Sequence, residues 1–368
     1  DKQKLTSLSM ANSSSCSEIV LVTGGCGFLG RRMAEMLRNS GKQVRVLDLM
    51  SGDLDRVEYV IGNLCKIDSL LEACQGVSEI YHVASYTELS GPRARFQAIN
   101  VEGTKNLLSA AAQCGVKRFI YTSSASVVFA GQDIENGKET LPYPEQFLDY
   151  YGESKAQAEQ IVLQYNGTSG VSTCAIRPHS IFGPGDRHFW PKVIQNALAG
   201  KLKFVLGSGQ TLSDYTFVDN CVHAHQLAAQ KLSTPQGQQI VGGEAYFVSN
   251  GEPRNFWGTM KEIAVGIGLD DSNIGRFHIP AKVIYPLAWL VEHGYWAAGL
   301  CCRTRGPTLT RFVAANATTS HYFSIEKAKK DLGYEPLLTH EQAMQKTIDY
   351  YRGLYKHQVE RISNNKMD

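Results

Sequence analysis

The chain has 368 residues, 43% of them hydrophobic and 20% charged, a globular composition long enough for one large domain or two modest ones. A formal net charge of +2 gives no bulk electrostatic case for a nucleic-acid partner. Nine cysteines, an odd number with no C-x-x-C pair, point to a reducing compartment and away from a disulfide framework or a metal site.

Residues 1–17 read as a polar, Ser-rich leader without the apolar stretch of a secretory signal. Ile19–Thr23 (IVLVT) is a β-branched run expected to form a buried strand. A glycine cluster follows, then a helical stretch from Phe28 to Arg38 that Gly41 ends, then a second strand at Val44–Leu47 closed by Asp48. Further strands are expected at Glu58–Ile61, Glu79–Val83, Phe119–Thr122 and Ser172–Ile176, with helical patterns between them at Asn100–Cys114 and Tyr151–Tyr165. This alternation over 18–178 predicts an α/β domain, a doubly wound parallel sheet with helices on both faces. After Pro178 the rhythm changes. Helices are expected at 191–200 and 219–232, a strand at 245–248, and helices near 255–267, 281–300, 324–331 and 340–353. These make a smaller, mostly helical capping lobe over 179–351, with a polar, frayed tail over 352–368.

The first strand and helix are joined by Thr23-Gly24-Gly25-Cys26-Gly27-Phe28-Leu29-Gly30, which holds Gly24, Gly27 and Gly30 at G-x-x-G-x-x-G spacing. Glycines there allow a tight turn, backbone approach to a pyrophosphate and close helix–strand packing, and the helix N-terminus offers unpaired N–H groups to phosphate. Asp48, eighteen residues beyond Gly30, ends the next strand, where an acid accepts hydrogen bonds from a ribose diol and repels a 2′-phosphate. The combination predicts a dinucleotide cofactor and favours NAD. Arg31 and Arg32 keep NADP open, since an arginine there can meet the extra phosphate. Asn63, after the third strand, has two equal readings, an adenine contact or a loop-forming asparagine.

Tyr151-Gly152-Glu153-Ser154-Lys155 puts Tyr151 and Lys155 on one helix face at i and i+4. An ammonium near a phenol stabilises the phenolate, which makes Tyr151 the candidate acid/base and predicts a lowered pKa for it. Ser124, at the carboxyl end of a sheet strand, is placed to hydrogen-bond the reacting oxygen. Tyr150 is the nearest rival to Tyr151 but has no lysine four residues on.

The order T-G-G-x-G-F-L-G, Asp48, His82-Val83-Ala84-Ser85, Asn100-Val101-Glu102-Gly103-Thr104, Ser123-Ser124, Tyr151-x-x-x-Lys155 and Arg177-Pro178 resembles the extended short-chain dehydrogenases. The resemblance implies a Rossmann fold, with Tyr151 as acid/base, Lys155 holding the nicotinamide ribose and Ser124 orienting the substrate oxygen. It implies cofactor contacts around Ala84 and Pro178, structural packing at Asn100, and helices that pair into a homodimer. Members acting on nucleotide sugars carry an arginine before Asp214-Tyr215; here Ser213 stands there and cannot pair with a diphosphate as a guanidinium does. Ser124-Ala125-Ser126-Val127-Val128-Phe129, Arg177-Pro178-His179-Ser180-Ile181-Phe182-Gly183-Pro184, His321-Tyr322-Phe323-Ser324 and Ala245-Tyr246-Phe247-Val248-Ser249 resemble the 3β-hydroxysteroid dehydrogenases, most of all the decarboxylating sterol-4α-carboxylate 3-dehydrogenases. That branch implies hydride transfer from a 3β-hydroxysterol or steroid to NAD. His179 reads first as a packed or capping residue and second as one facing the nicotinamide or a substrate carboxylate, and His82 reads as structural. The alternatives are an NADP-dependent reductase of another apolar carbonyl compound and a non-catalytic dinucleotide-binding subunit of a larger assembly.

Ile279–Cys302 is aromatic-rich and apolar but is interrupted by Lys282, Glu292 and His293, so it is too short in uncharged length to span a bilayer. One reading is a core or lid helix with Leu287, Trp289, Leu290 and Trp296 buried. The other, preferred with a sterol substrate, is a peripheral membrane contact through 279–302, with Trp289, Tyr295 and Trp296 at the interface and Arg303, Arg305 and Arg311 at the headgroups. It predicts residence on the cytosolic face of the endoplasmic reticulum or on lipid droplets, and otherwise in the cytoplasm.

Overall fold

The computed structural model describes residues 18–88, 91–271, 274–299, 307 and 309–364. The leader 1–17, Cys301, Cys302, Arg303, Arg305, the last residues 365–368 and the side chain of Trp296 lie outside the described residues. Seven strands form the central sheet: β1 (Ile19–Thr23), β2 (Gln43–Asp48), β3 (Val57–Ile61), β4 (Val77–His82), β5 (Arg118–Thr122), β6 (Ser172–Pro178) and β7 (Ala245–Val248). Their order is β7-β6-β5-β4-β1-β2-β3 and every neighbouring pair is parallel. The order reverses between β1 and β4, which opens a crevice at their carboxyl ends, the ligand position of such sheets.

The helices used below are α1 (Phe28–Asn39), α2 (Ile67–Cys74), α3 (Gly103–Gln113), α4 (Tyr150–Gln164), α5 (Trp190–Leu198), α6 (Val218–Leu232), α7 (Phe256–Gly266), α8 (Ala281–Gly299), α9 (Arg311–Thr318) and α10 (His340–Asn364). Two-residue alternation in β1 buries both faces of the sheet. Val20 and Val22 join Met33 and Leu37 of α1 and Cys221 and Val222 of α6 on one side. Leu21 joins Leu70 of α2, Leu107 of α3 and Val162 of α4 on the other. Each such fully buried Val or Leu contributes about 1.5–3 kcal/mol, so this double layer fixes the crevice firmly.

Two expectations change. The strand at 245–248 is β7, which pairs with β6 and completes the sheet rather than belonging to the lobe. α6 likewise packs on the sheet through the same core as α1. The division expected at 178/179 therefore cuts across the dinucleotide half, because a parallel strand is satisfied by any neighbour of the right direction, however late in the chain. The mixing runs both ways: Ile134–Gly137 pairs with His321–Phe323 in a small four-stranded sheet with Leu212–Ser213 and Arg254–Asn255. The second change is at the end of the chain, where α10 continues from His340 to Asn364 instead of fraying after 351.

Candidate active site

A cleft of about 940 Å³ lies at the carboxyl ends of the strands. Its lining brings together the candidate trio and the candidate cofactor contacts of the sequence. The glycine loop contributes Gly24, Gly27, Phe28, Leu29 and Gly30, and the strand ends contribute Asp48, Asn63, Ala84, Ser124 and Pro178. Tyr151 and Lys155 reach it from α4. Tyr150 does not line it; it is 47% exposed and its ring sits near Arg93 and Phe96.

The loop fits a dinucleotide on its own geometry. Gly24 has φ +71°, and a Cβ on Gly30 would lie 2.2 Å from the Gly24 carbonyl oxygen, so no larger residue is accommodated where α1 meets β1. Gly27 is the N-cap of α1 and supplies no side-chain cap, which leaves the first turn of the helix open to a phosphate. Asp48 is oriented by two backbone donors, the N–H of Cys26 at 2.9 Å and that of Leu49 at 2.7 Å. Arg31 pairs with Asp53 and with Glu35, while Arg32 holds Asp219 through Nε at 2.5 Å and Nη2 at 2.9 Å and reaches Glu35 at 3.2 Å. Both arginines left open for a 2′-phosphate are thus engaged by carboxylates. Asn63 accepts from the N–H of Cys65 at 2.9 Å and also lines the cleft, so its loop-forming role and its position at the cofactor coexist.

The catalytic candidates are positioned by caps. Asp149 accepts from the Gly152 N–H at 2.7 Å and starts α4 so that Tyr151, Lys155 and Glu159 fall on one face. Ser124 caps the short turn Ala125–Val128, accepting from the N–H of Ser126 at 3.2 Å and its hydroxyl at 2.8 Å. Burial pushes the Tyr151 phenol up to about 12, and its hydrogen bond with Ser124 only partly opposes this. The lowering expected from Lys155 is absent, because the lysine is directed elsewhere. Its Nζ donates to the Thr122 carbonyl at 2.5 Å and lies 4.1 Å from the centroid of the Tyr121 ring. Burial brings Lys155 itself down to about 7, with Glu159 opposing.

Residues that motif reading treats as scenery hold this arrangement. His82 bridges Thr23 (2.8 Å) and Thr104 (2.9 Å), and burial keeps it neutral at about 3. Asn100, in a π-helical turn at Gln97–Glu102, accepts from the Tyr86 N–H at 2.7 Å and donates to Ser154 at 2.9 Å, fastening the cleft wall to α4. Arg177 turns away from the cleft onto buried Glu159, with Nη2–Oε1 at 2.7 Å. His179 pairs with Asp214, whose other oxygen accepts from the Phe323 N–H at 3.0 Å; it is the packed histidine of its first reading. Sequence reasoning missed His225, whose Nε2 meets the Thr122 hydroxyl at 2.8 Å. Nothing in a lone helical histidine marks such a role.

In the lobe, α8 buries Ile284 and Ala288 against Ala314 and Leu206. Val283 (55%), Leu287 (45%), Trp289 (46%) and Leu290 (60%) are exposed, so the core-helix reading, which needs Leu287, Trp289 and Leu290 buried, does not hold. Glu292 accepts from the N–H of Arg311 at 2.8 Å and from its Nε at 2.6 Å, so Arg311 serves α8 rather than a headgroup. Among the described residues no helix is long and apolar enough to cross a membrane.

The model of the 3-beta hydroxysteroid dehydrogenase/isomerase family matches residues 21–279, a span that holds the glycine loop, Asp48, Ser124, Tyr151 and Lys155. The chain belongs to this family. Among curated relatives, the sterol-4-alpha-carboxylate 3-dehydrogenase, decarboxylating, of Mus musculus is 40% identical over 355 residues, covering 96% of each chain. The 3-beta-hydroxysteroid dehydrogenase of Mycolicibacterium neoaurum is 40% identical over 349 residues, covering 91% of this chain and 92% of that one. Among solved structures, the dTDP-glucose 4,6-dehydratase DesIV of Streptomyces venezuelae superposes with a TM-score of 0.70 over 92% of this chain and 98% of that one, at 21% identity. That likeness is one of fold. Ser213 is buried and lies outside the cleft lining.

Proposed function

We propose that this chain oxidises the 3β-hydroxyl of a sterol or steroid to a ketone with NAD as acceptor. The observation that carries the reading is that Ser124, Tyr151 and Lys155 share one cleft with the glycine loop and Asp48. Asp48 is presented for a ribose diol, and with Arg31 and Arg32 both paired, the cleft favours NAD over NADP. When bound, the nicotinamide supplies the acceptor for the hydride leaving C3. Ser124 orients the substrate oxygen, and Tyr151 takes the hydroxyl proton as the C3–H bond breaks. Lys155 would hold the nicotinamide ribose of the bound cofactor, and its turning from the Thr122 carbonyl would bring positive charge toward the phenol, which burial alone leaves too weak an acid. His82 and Asn100 keep the walls in register and touch no reacting atom.

If the substrate carries a carboxylate at C4, the product is a β-keto acid, which loses carbon dioxide without another catalytic group. The mouse and mycobacterial relatives, one named for decarboxylation and one not, are equally identical, so both substrate types belong in the test. Purified protein is given NAD or NADP with a panel of 3β-hydroxysterols, with and without the carboxylate, and NADH absorbance is followed. Turnover of no sterol, or turnover only with NADP, would reject the reading.

The exposed face of α8 supports peripheral association with a bilayer, on the cytosolic face of the endoplasmic reticulum or on a lipid droplet, where such a substrate is dissolved.

A further inference from the structure

One cation of the cleft has no part in these roles. Arg187 lines the cleft, is exposed, and has no carboxylate, carbonyl or ring partner among the described residues. The other arginines near the site are engaged: Arg31 and Arg32 with carboxylates, Arg177 with Glu159, and Arg95 over the Tyr86 ring at 4.7 Å.

Its stem is fixed. Asp186, only 4% exposed, accepts from the N–H groups of His188 (2.7 Å), Phe189 (3.2 Å) and Trp190 (2.9 Å). Its carbonyl oxygen accepts from the Tyr351 hydroxyl at 2.6 Å. Asp186 thereby ties this turn to the first residue of α5, and the next residue, Arg187, lines the cleft from it. The loop leading there is shaped for this course, with Ser180 at φ +44° and Gly185 at φ +89°.

We propose that Arg187 is the cation that neutralises the pyrophosphate of the bound dinucleotide. A pyrophosphate brings two negative charges into a cleft that already contains Asp48. The glycine loop answers with N–H groups and the partial charge of α1, about half a unit, and with no cationic side chain of its own. Arg187 belongs to the same cleft lining as Gly24, Gly27 and Gly30, and Phe28 and Phe189, one on each segment, pack onto the same core. A guanidinium presents paired donors to adjacent phosphate oxygens, which an ammonium cannot do. The glycine loop and the loop after β6 then hold one anion between them, and cofactor binding depends on both halves of the chain.

This inference rests on the dinucleotide half of the proposed function, and binding without turnover tests it. ADP-ribose, NADH and adenosine are titrated into wild type, Arg187→Gln and Arg187→Lys by calorimetry, with circular dichroism as the check on folding. Arg187→Gln should weaken ADP-ribose and NADH about tenfold or more and leave adenosine, which has no phosphate, within error. Arg187→Lys should recover part of the loss, and added salt should weaken ADP-ribose more steeply in wild type than in Arg187→Gln. Equal ADP-ribose affinity in wild type and Arg187→Gln would overturn the proposal. So would a variant that binds ADP-ribose normally but shows a raised KM for carboxylated sterols alone, since the anion would then be the substrate's. Failure of wild type to bind ADP-ribose at all would instead remove the dinucleotide reading itself.

Discussion

Lys155 gives its Nζ to the carbonyl of Thr122 at 2.5 Å, and the hydroxyl of the same threonine is bonded to His225 at 2.8 Å. The lysine that motif reading assigns to Tyr151 thus lies against β5, and burial there favours its neutral form. Its pKa falls from 10.5 to about 7. Between these values the unfolded chain carries a proton that the folded chain lacks, so stability rises with pH through that window; below it both forms are protonated and the cost of the buried charge is constant. Without added cofactor, the thermal midpoint of wild type should climb relative to Lys155→Met from about pH 7 to about pH 9. Parallel curves for the two proteins would mean that the lysine is solvated or ion-paired.

Tyr151→Phe should bind NADH as wild type does and lose about 10²–10⁴ in kcat, because the phenol acts only in proton transfer. Tyr150→Phe, an exposed ring beside Arg93, should leave kcat within twofold, about the scatter expected for a surface change. The reverse pattern would exchange their roles.

Cofactor choice is set by two layers. Asp48→Ala removes the ribose acceptor and the acceptor for the N–H groups of Cys26 and Leu49, so NADH should bind about tenfold more weakly. It should not by itself create tight NADPH binding, because Arg31 remains on Asp53. Asp48→Ala with Asp53→Asn leaves that arginine only its 3.4 Å pair with Glu35 and should bind NADPH more tightly than Asp48→Ala alone. Equal NADPH affinities would show that Arg31 does not reach the 2′-phosphate.

The α8 face predicts flotation with anionic liposomes. Trp289→Glu and Leu290→Glu place charge on residues 46% and 60% exposed, so the fold should survive while flotation falls several-fold. Ala288→Glu, at a buried position, should instead lower the thermal midpoint. If wild type and both surface variants stay equally unbound, the face contacts something other than lipid.

The sheet strands were legible because each is an apolar run between turn residues, and the candidate trio Ser124, Tyr151 and Lys155 because its spacing is short and chemical. What stayed hidden depends on partners distant in sequence. β7 reads like any lobe strand until β6 is seen beside it. Lys155 at i+4 from Tyr151 gives the shared face but not where the ammonium points, which the Thr122 carbonyl and the Tyr121 ring decide. Arg31 and Arg32 looked available because Asp53 and Asp219 lie outside any motif. Arg187 was passed over for the same reason, since being unpaired is a property of the fold and not of the string.

The sheet draws its last strand from beyond the first part of the lobe, and this sets an order for assembly. By Pro178 the ribosome has delivered the glycine loop, Asp48, Ser124, Tyr151 and Lys155, but β6 still shows a bare edge. That edge, at Ala175, Ile176, Arg177 and Pro178, waits for Ala245 to Val248. A nascent chain halted in this interval carries all its chemical groups and an unpaired hydrophobic strand, the condition that invites pairing with other chains. The protein is thus most exposed to misassembly after its reactive residues exist and before they are enclosed. Lesions between 179 and 244 should act through loss of protein from the cell as readily as through loss of chemistry.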